Sequence, residues 1–233
     1  MDSPTKQLVI KARDYQISQV SVQLLEALKP LVICGVTAAG KNATSQHLAE
    51  RGNFERVVTH TTRSPRQGEA NGQDYWFVSE QDMLEMIDGH SFVEVEVLNG
   101  DRVYGTSRTA LELVASHGKR PIMTIDIKGA AKLAAAVSGL EPLFMVPPST
   151  DVWMQRLGGR AYMSDGEHDR RLHGARGELE FVMNNQDFVI VVNNDVEQAA
   201  AEILRGVATD SGSQGERRAL VKELYEYARS SNI

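Results

Sequence analysis

PLVICGVTAAGKN, residues 30–42, joins an apolar run of strand length to a loop bracketed by Gly35 and Gly40 and closed by Lys41. The run PLVIC reads as a buried strand, and the segment from Lys41 to Arg51, free of Pro and Gly, reads as a helix. Between them, GVTAAGKN fits G-x-x-x-x-G-K, with Asn42 where that motif usually carries Ser or Thr. Glycines permit a tight loop whose N–H groups surround phosphate, the helix adds its positive N-terminal end, and the lysine reaches the outer phosphates. Gly35, Val36, Thr37, Ala38, Ala39, Gly40, Lys41, Asn42 and Ala43 are therefore the candidate phosphate-binding residues. An ordinary strand-to-helix turn is the plain alternative; the flanking strand and helix favour the phosphate loop. An amide at position 42 reaches a metal less easily than a hydroxyl, which leaves magnesium mainly to phosphates and water.

The same strand-then-helix rhythm recurs in PIMTID (121–126) before GAAKLAAAV, in PLFMVP (142–147), and in DFVIVV (187–192) before VEQAAAEILRGV. Four apolar strands, each feeding a helix, imply an α/β fold with a mainly parallel core sheet flanked by helices. Two stretches break the rhythm. Residues 57–108, rich in Thr, Arg, Gly and Tyr and containing SFVEVEV, read as a small β-containing insertion; residues 155–180, charged and Gly-containing, read as a helical lid. The ends differ again. Residues 1–29 read as an extension with a short strand near QLVI and a helix from about Asp14, with Ile17, Val20, Leu24 and Leu25 on one face. At the other end, within 209–233, SGSQGE (211–216) reads as a linker and RRALVKELYEYA as a short helix with Leu220, Leu224 and Tyr227 on one face. The domain between them spans 30–208, with its core at 30–56, 109–154 and 181–208.

The 233 residues are 42% hydrophobic and 24% charged, with 19 Gly and 7 Pro, an ordinary globular balance that excludes fibrous and disordered classes. A net charge of −6 offers no general field for nucleic acid or anionic lipid, so any phosphate binding is local. The single cysteine, Cys34, rules out an intramolecular disulfide and a Cys-rich metal site, and fits a reducing cytoplasm. Charged residues interrupt residues 1–30, and no apolar run approaches the length of about 18 residues needed to span a membrane, so neither a leader nor a membrane partner is expected. His60, His168 and His173 lack metal spacing; Trp76 and Trp153 read as packing residues, and Met83, Leu84, Met86 and Ile87 as the core face of a helix.

A second polar constellation lies in THTTRSPRQGEANGQDYWFVS, residues 59–79, where Arg63, Arg66 and Tyr75 surround turn residues Pro65, Gly68 and Gly72. Two guanidinium forks and a phenol suit a second, smaller phosphate; alone they also read as a solvated loop with surface arginines. The segment resembles the monophosphate-binding segment of guanylate kinases. The resemblance continues in order through SFVEVEVLNGDRVYGTS (91–107), IDIKGA (125–130), FMVPPS (144–149), RLGGR (156–160), RRLHGARGELE (170–180) and VVNND (191–195). It covers about residues 30–208 and leaves both ends outside.

That resemblance implies a nucleoside monophosphate kinase of core, GMP-binding insertion and lid, acting on ATP with Mg²⁺ and on GMP, with dGMP a second acceptor. By position, Arg63, Arg66, Tyr75 and Tyr104 hold the acceptor phosphate, Glu94 faces the base, and Thr59 and Thr106 donate to O6. Guanine's N1–H and N2–H₂ donors suit a carboxylate, whereas adenine would set an acceptor against Glu94. Without the resemblance, Glu94 reads as a solvent-facing acid on an alternating strand. Asp126 matches the acid near Mg²⁺, which it meets through water, while Thr124 stands where family members commonly carry another acid. Arg156, Arg160 and Arg171 match lid arginines that close over phosphates, and Arg171 precedes Glu178 as RLxxAxxE requires. Lys41, Asp126 and these three arginines form the expected catalytic set. Asn193 matches the adenine-side contact and reads equally as a turn residue. Asn42 and Thr124 motivate a rival, a catalytically impaired module that binds nucleotide or protein; a kinase with another acceptor and an interaction protein built around its terminal helices are the others. A homo-oligomer is left open.

Overall fold

The computed structural model describes residues 4–98, 100–159, 165–206 and 211–230. In chain order the elements are α1 (Pro4–Arg13), α2 (Gln19–Leu28), β1 (Leu31–Gly35), α3 (Lys41–Arg51), β2 (Phe54–Arg56), β3 (His60–Thr61), β4 (Trp76–Phe77), α4 (Glu80–Asp88), β5 (Phe92–Leu98), β6 (Arg102–Ser107) and α5 (Arg108–Ser116). They continue with β7 (Arg120–Thr124), α6 (Ile127–Ala136), β8 (Leu143–Val146), α7 (Thr150–Gly158), α8 (Asp165–Met183), β9 (Val189–Val192), α9 (Val196–Leu204) and α10 (Ser211–Ser230). The chain divides into two compact units, Met1–Leu31 with Asn53–Leu140, and Val32–Gly52 with Glu141–Ile233.

In the second unit β1, β8 and β9 run parallel, with Ile33 opposite Leu143 and Leu143 opposite Val189. The residues of β1 and β8 are buried on both faces, as parallel strands covered by helices require. The expected rhythm holds: β1 leads to α3, β7 to α6, β8 to α7 and β9 to α9. Gly35 ends β1 at φ 135°, and a Cβ there would run into the backbone of Met145 on β8, so only glycine lets the chain leave the sheet at this point.

Residues 211–216 are the first turns of α10, not a linker. The Gln214 amide accepts from Ile190 N at 2.9 Å and donates to Ile190 O at 3.2 Å, much as a neighbouring strand would, and Arg217 also donates to Ile190 O and pairs with Glu202. Arg218 donates to the carbonyls of Val182, Asn185, Gln186 and Phe188. Bonding to the outermost strand of its group and to the α8–β9 connection outweighs the loop preference of Gly212 and Gly215. The buried face of α10 is Val221, Leu224 and Ala228, whereas Tyr227 is exposed.

The first unit holds the parallel pair β2–β7 and a four-stranded sheet in the order β4-β3-β6-β5. QLVI is helical, not a strand. Burial of Leu8 and Ala12 one turn apart, against Met83 and Ile87 on α4 and Phe92, Val95 and Val103 on the sheet, selects the helix over the local β preference. Thr5 to Glu80 and Lys11 to Asp88 tie α1 to α4. The second helix starts at Gln19 behind a Ser18 cap and buries Ser21, Val22 and Leu25, leaving Val20 exposed. On β5, Phe92 to Glu96 are buried on both sides, because α6 covers the face an alternating strand would give to water. Among the described residues no helix is long and apolar enough to cross a membrane.

Arg218→Met should lower the unfolding free energy by about 2–3 kcal/mol, since a charged donor to several carbonyls is lost. Arg229→Met, removing a surface pair with Glu226, should cost less than about 0.5 kcal/mol; urea unfolding monitored by circular dichroism compares the two.

Candidate active site

The phosphate loop belongs to the second unit. It turns through Ala38 at φ 61° and Gly40 at φ 89°, and Gly40 starts α3 without a side-chain cap, which leaves the first N–H groups of that helix to a ligand. A non-glycine residue in the left-handed region costs on the order of 1–2 kcal/mol, so Ala38 holds strain where the loop bends. Carbonyls of the loop are tied back by side chains. Lys41 Nζ donates to the carbonyls of Gly35 and Val36, Trp153 Nε1 donates to Thr37 O at 2.9 Å, and Asn193 Nδ2 donates to Ala39 O at 2.7 Å. A Cβ at Gly40 would collide with the Asn193 amide.

Arg156 joins this group by donating to the carbonyls of Asn193 and Asn194, each at 3.0 Å. Three expected residues, Ala39, Asn193 and Arg156, thus form one chain of contacts, and Arg156 reaches the β9–α9 turn. Thr37, Ala38, Gly40, Lys41, Asn42, Ala43 and Glu178 line a cleft of about 490 Å³, within the usual range for small-molecule sites. Val36 and Ala39, within the loop, are buried. Arg171 sits two turns before Glu178 on α8, on the same side of the helix. Arg160 lies outside the described residues.

The other expected residues gather in the first unit. Arg63 is 8% exposed; its Nη2 donates to Glu69 Oε1 at 2.9 Å and its Nη1 to Ser64 O at 2.7 Å. The guanidinium carbon lies 5.2 Å from the centre of the Tyr75 ring, and that ring packs edge-on to Tyr104 at 5.9 Å. Glu69 Oε2 accepts the backbone N–H of Arg66 at 2.7 Å, so one carboxylate orders both arginines, with the Arg66 side chain left exposed. The Glu69 bond raises the Arg63 pKa, and burial raises that of Tyr75, so a fixed cation and a neutral phenol donor stand together. Thr59 is half-buried and accepts Trp76 N at its carbonyl, which places β4.

Glu94 is 5% exposed, and Thr106 Oγ1 donates to its Oε1 at 2.7 Å. A Cβ on Gly129 would sit 2.9 Å from Glu94 Oε2, so a glycine in the first turn of α6 makes room for the acid. Burial pushes the Glu94 pKa up to about 7; the Thr106 bond opposes this, and the charges of Glu96 and Asp126 add to it. Glu96 meets Lys132 Nζ at 2.5 Å. Asp126 caps α6, its Oδ1 accepting Lys128 N at 2.8 Å, and lies within electrostatic reach of Glu94. Among the described residues no three His, Cys, Asp or Glu side chains are grouped to hold a metal. That donor set fits magnesium only as an ion carried mainly by nucleotide phosphates and water.

Sequence reasoning missed Glu69, Gly129, Trp153 and the place of Glu178 in the cleft. Glu69 had a local signal, three residues after Arg66 in a turn; Gly129 and Trp153 act only through distant partners.

A family model described as guanylate kinase matches residues 27–209. The chain is 39% identical over 174 residues to a guanylate kinase of Neisseria gonorrhoeae, covering 74% of this chain and 83% of that protein. It is 32% identical over 187 residues to human guanylate kinase, covering 78% and 93%. A solved guanylate kinase from Anaplasma phagocytophilum superimposes with a TM-score of 0.58 at 24% identity, covering 87% of this chain and 95% of that one, and shares the fold. With the phosphate loop, the buried acid and the arginine–tyrosine cluster all inside the matched region, the chain belongs to the guanylate kinase family.

Proposed function

We propose that this member of the guanylate kinase family moves the γ-phosphoryl group of ATP to GMP, and to dGMP, with the residues described above. The buried, Thr106-bonded Glu94, together with the arginine–tyrosine cluster of the same unit, carries the assignment of the acceptor. Two carboxylate oxygens accept guanine's N1–H and N2–H₂, Thr59 donates to O6, Thr106 joins it when guanine's donors replace the Thr106 bond to Glu94, and Arg63, Arg66, Tyr75 and Tyr104 take the monophosphate. Lys41 and the loop N–H groups hold the ATP phosphates, while Arg156, Arg160 and Arg171 bring positive charge from the lid and Asn193 orders the adenine side.

An oxygen of the GMP phosphate attacks the γ-phosphorus as the bond from that phosphorus to the β–γ bridging oxygen breaks; GDP and ADP result. The attacking oxygen is already anionic, so positioning and charge neutralisation suffice and no general base is required. Mg²⁺ would be held mainly by the nucleotide phosphates and water and, when bound, would neutralise charge on the phosphates. Asp126 would meet that ion through water, and its charge also acts on Glu94. Lys41 together with the arginines argues against a binding-only module, and the single buried cysteine suits a cytoplasmic setting.

With ATP, Mg²⁺ and a panel of GMP, AMP, CMP and UMP, ADP should form with GMP alone, and Lys41→Ala should reduce turnover by about 10²-fold or more. Binding of GMP without turnover by the unmodified chain would overturn the kinase assignment. Because only the carboxylate accepts both guanine donors, kcat/KM for GMP should rise with pH through about 7, where free Glu94 ionises. Glu94→Gln should remove this step, retain the one near pH 6 from the GMP phosphate itself, and lower kcat/KM by about ten- to hundredfold with KM for ATP unchanged.

The same raised pKa has a consequence for the protein without nucleotide. Between the ordinary carboxylate range near 4.5 and about 7 the folded state holds a proton that the unfolded state has released, so this acid's contribution weakens stability as pH rises across that window. Melting temperatures of the unmodified chain and Glu94→Gln should therefore diverge in favour of the variant from pH 5 to 7.5.

A further inference from the structure

Phe92 pairs with Ser107 and Glu94 with Thr106, so Val93 is an extra residue and β5 carries a bulge there. Strict alternation would put Phe92, Glu94 and Glu96 on one face. With the bulge, Phe92 instead shares an apolar core with Val95 and Val103, while Glu94 meets Thr106 and Gly129. The direction of the guanine-facing acid is thus tied to the backbone at Phe92.

Two hydroxyls of the N-terminal segment, one from the connection between α1 and α2 and one from α2, converge on that backbone. Tyr15 Oη donates to Phe92 O at 2.7 Å, and Ser21 Oγ donates to the same oxygen at 3.2 Å. Tyr15 packs edge-on against the Phe92 ring at 6.4 Å, and burial raises its pKa, which keeps it a donor. Ser21 is oriented by Ser18, the cap of α2, at 3.0 Å. Both residues lie ahead of the region the family model matches. An apolar brace would need neither hydroxyl; two donors on one bulged carbonyl specify its direction.

We infer that Tyr15 and Ser21 are positioning residues for guanine recognition: by fixing the Phe92 carbonyl they hold the bulge that aims Glu94 at the base. The inference rests on the reading of Glu94 as the guanine-facing acid. It makes the N-terminal helices part of the acceptor site instead of an appendage.

The test is the full-length Tyr15→Phe/Ser21→Ala double variant, assayed with GMP and with IMP, which lacks the exocyclic amine that one Glu94 oxygen would accept. KM for GMP should rise about tenfold and the preference for GMP over IMP should fall by a similar factor, with kcat at saturating GMP and KM for ATP within about twofold of the unmodified chain. Ser21→Thr, which keeps the hydroxyl, should retain the original preference. If the double variant does not fold, each single variant should show about a threefold change in the same ratio. A folded double variant with a lower melting temperature but an unchanged GMP-to-IMP ratio would overturn the inference and leave a structural brace. An unmodified chain with no preference for GMP would overturn the reading of Glu94 itself.

Discussion

Removing water from the Glu94 carboxylate costs several kcal/mol unless fixed dipoles replace it, and its surroundings in the first unit are organised around that cost. Thr106 on β6 supplies one hydrogen bond, Gly129 on α6 supplies space, and the bulge in β5 supplies direction. A single donor leaves the charge undercompensated, which is why the acid's pKa is raised to about 7. In the proposed reading guanine offers two donors to that undercompensated charge, whereas adenine would offer an acceptor in their place, so the same desolvation would become the basis of discrimination.

The second unit meets the opposite problem. Its loop must present N–H groups to polyanionic phosphate, so loop carbonyls are turned away and bonded by Lys41, Trp153 and Asn193. Trp153 and Asn193 come from α7 and the end of β9, which makes the loop's shape a property of the packed unit as much as of GVTAAGK. Ala38 at positive φ shows that packing overriding a local preference. Arg156 links the β9–α9 turn to the same network through the carbonyls of Asn193 and Asn194.

Local signals were legible wherever chemistry is consecutive in the chain. The phosphate loop, its flanking strand and helix, and the arginine-bearing turn could be read from residues 30–51 and 59–79 because spacing alone brings their groups together. Glu94 could not, since bare alternation makes it a solvent-facing acid; only the resemblance, and then the cover provided by α6, identifies it as buried. QLVI and SGSQGE were misread for one reason in two forms: each has a strong local preference reversed by distant partners, Met83 and Ile87 in one case and Ile190 in the other.

By itself, then, the amino-acid order determined an α/β architecture and a phosphate-binding loop, because hydrophobic period, glycine placement and charge are properties of neighbouring residues, while the second arginine cluster needed the resemblance. Tertiary structure alone decided which acid is buried, which glycine makes room for it, how one carboxylate orders two arginines, and that both terminal segments are helices packed on their own units. Those outcomes depend on desolvation and on hydrogen bonds between residues far apart in sequence, such as the 77 positions between Tyr15 and Phe92, and no local pattern encodes such a distance.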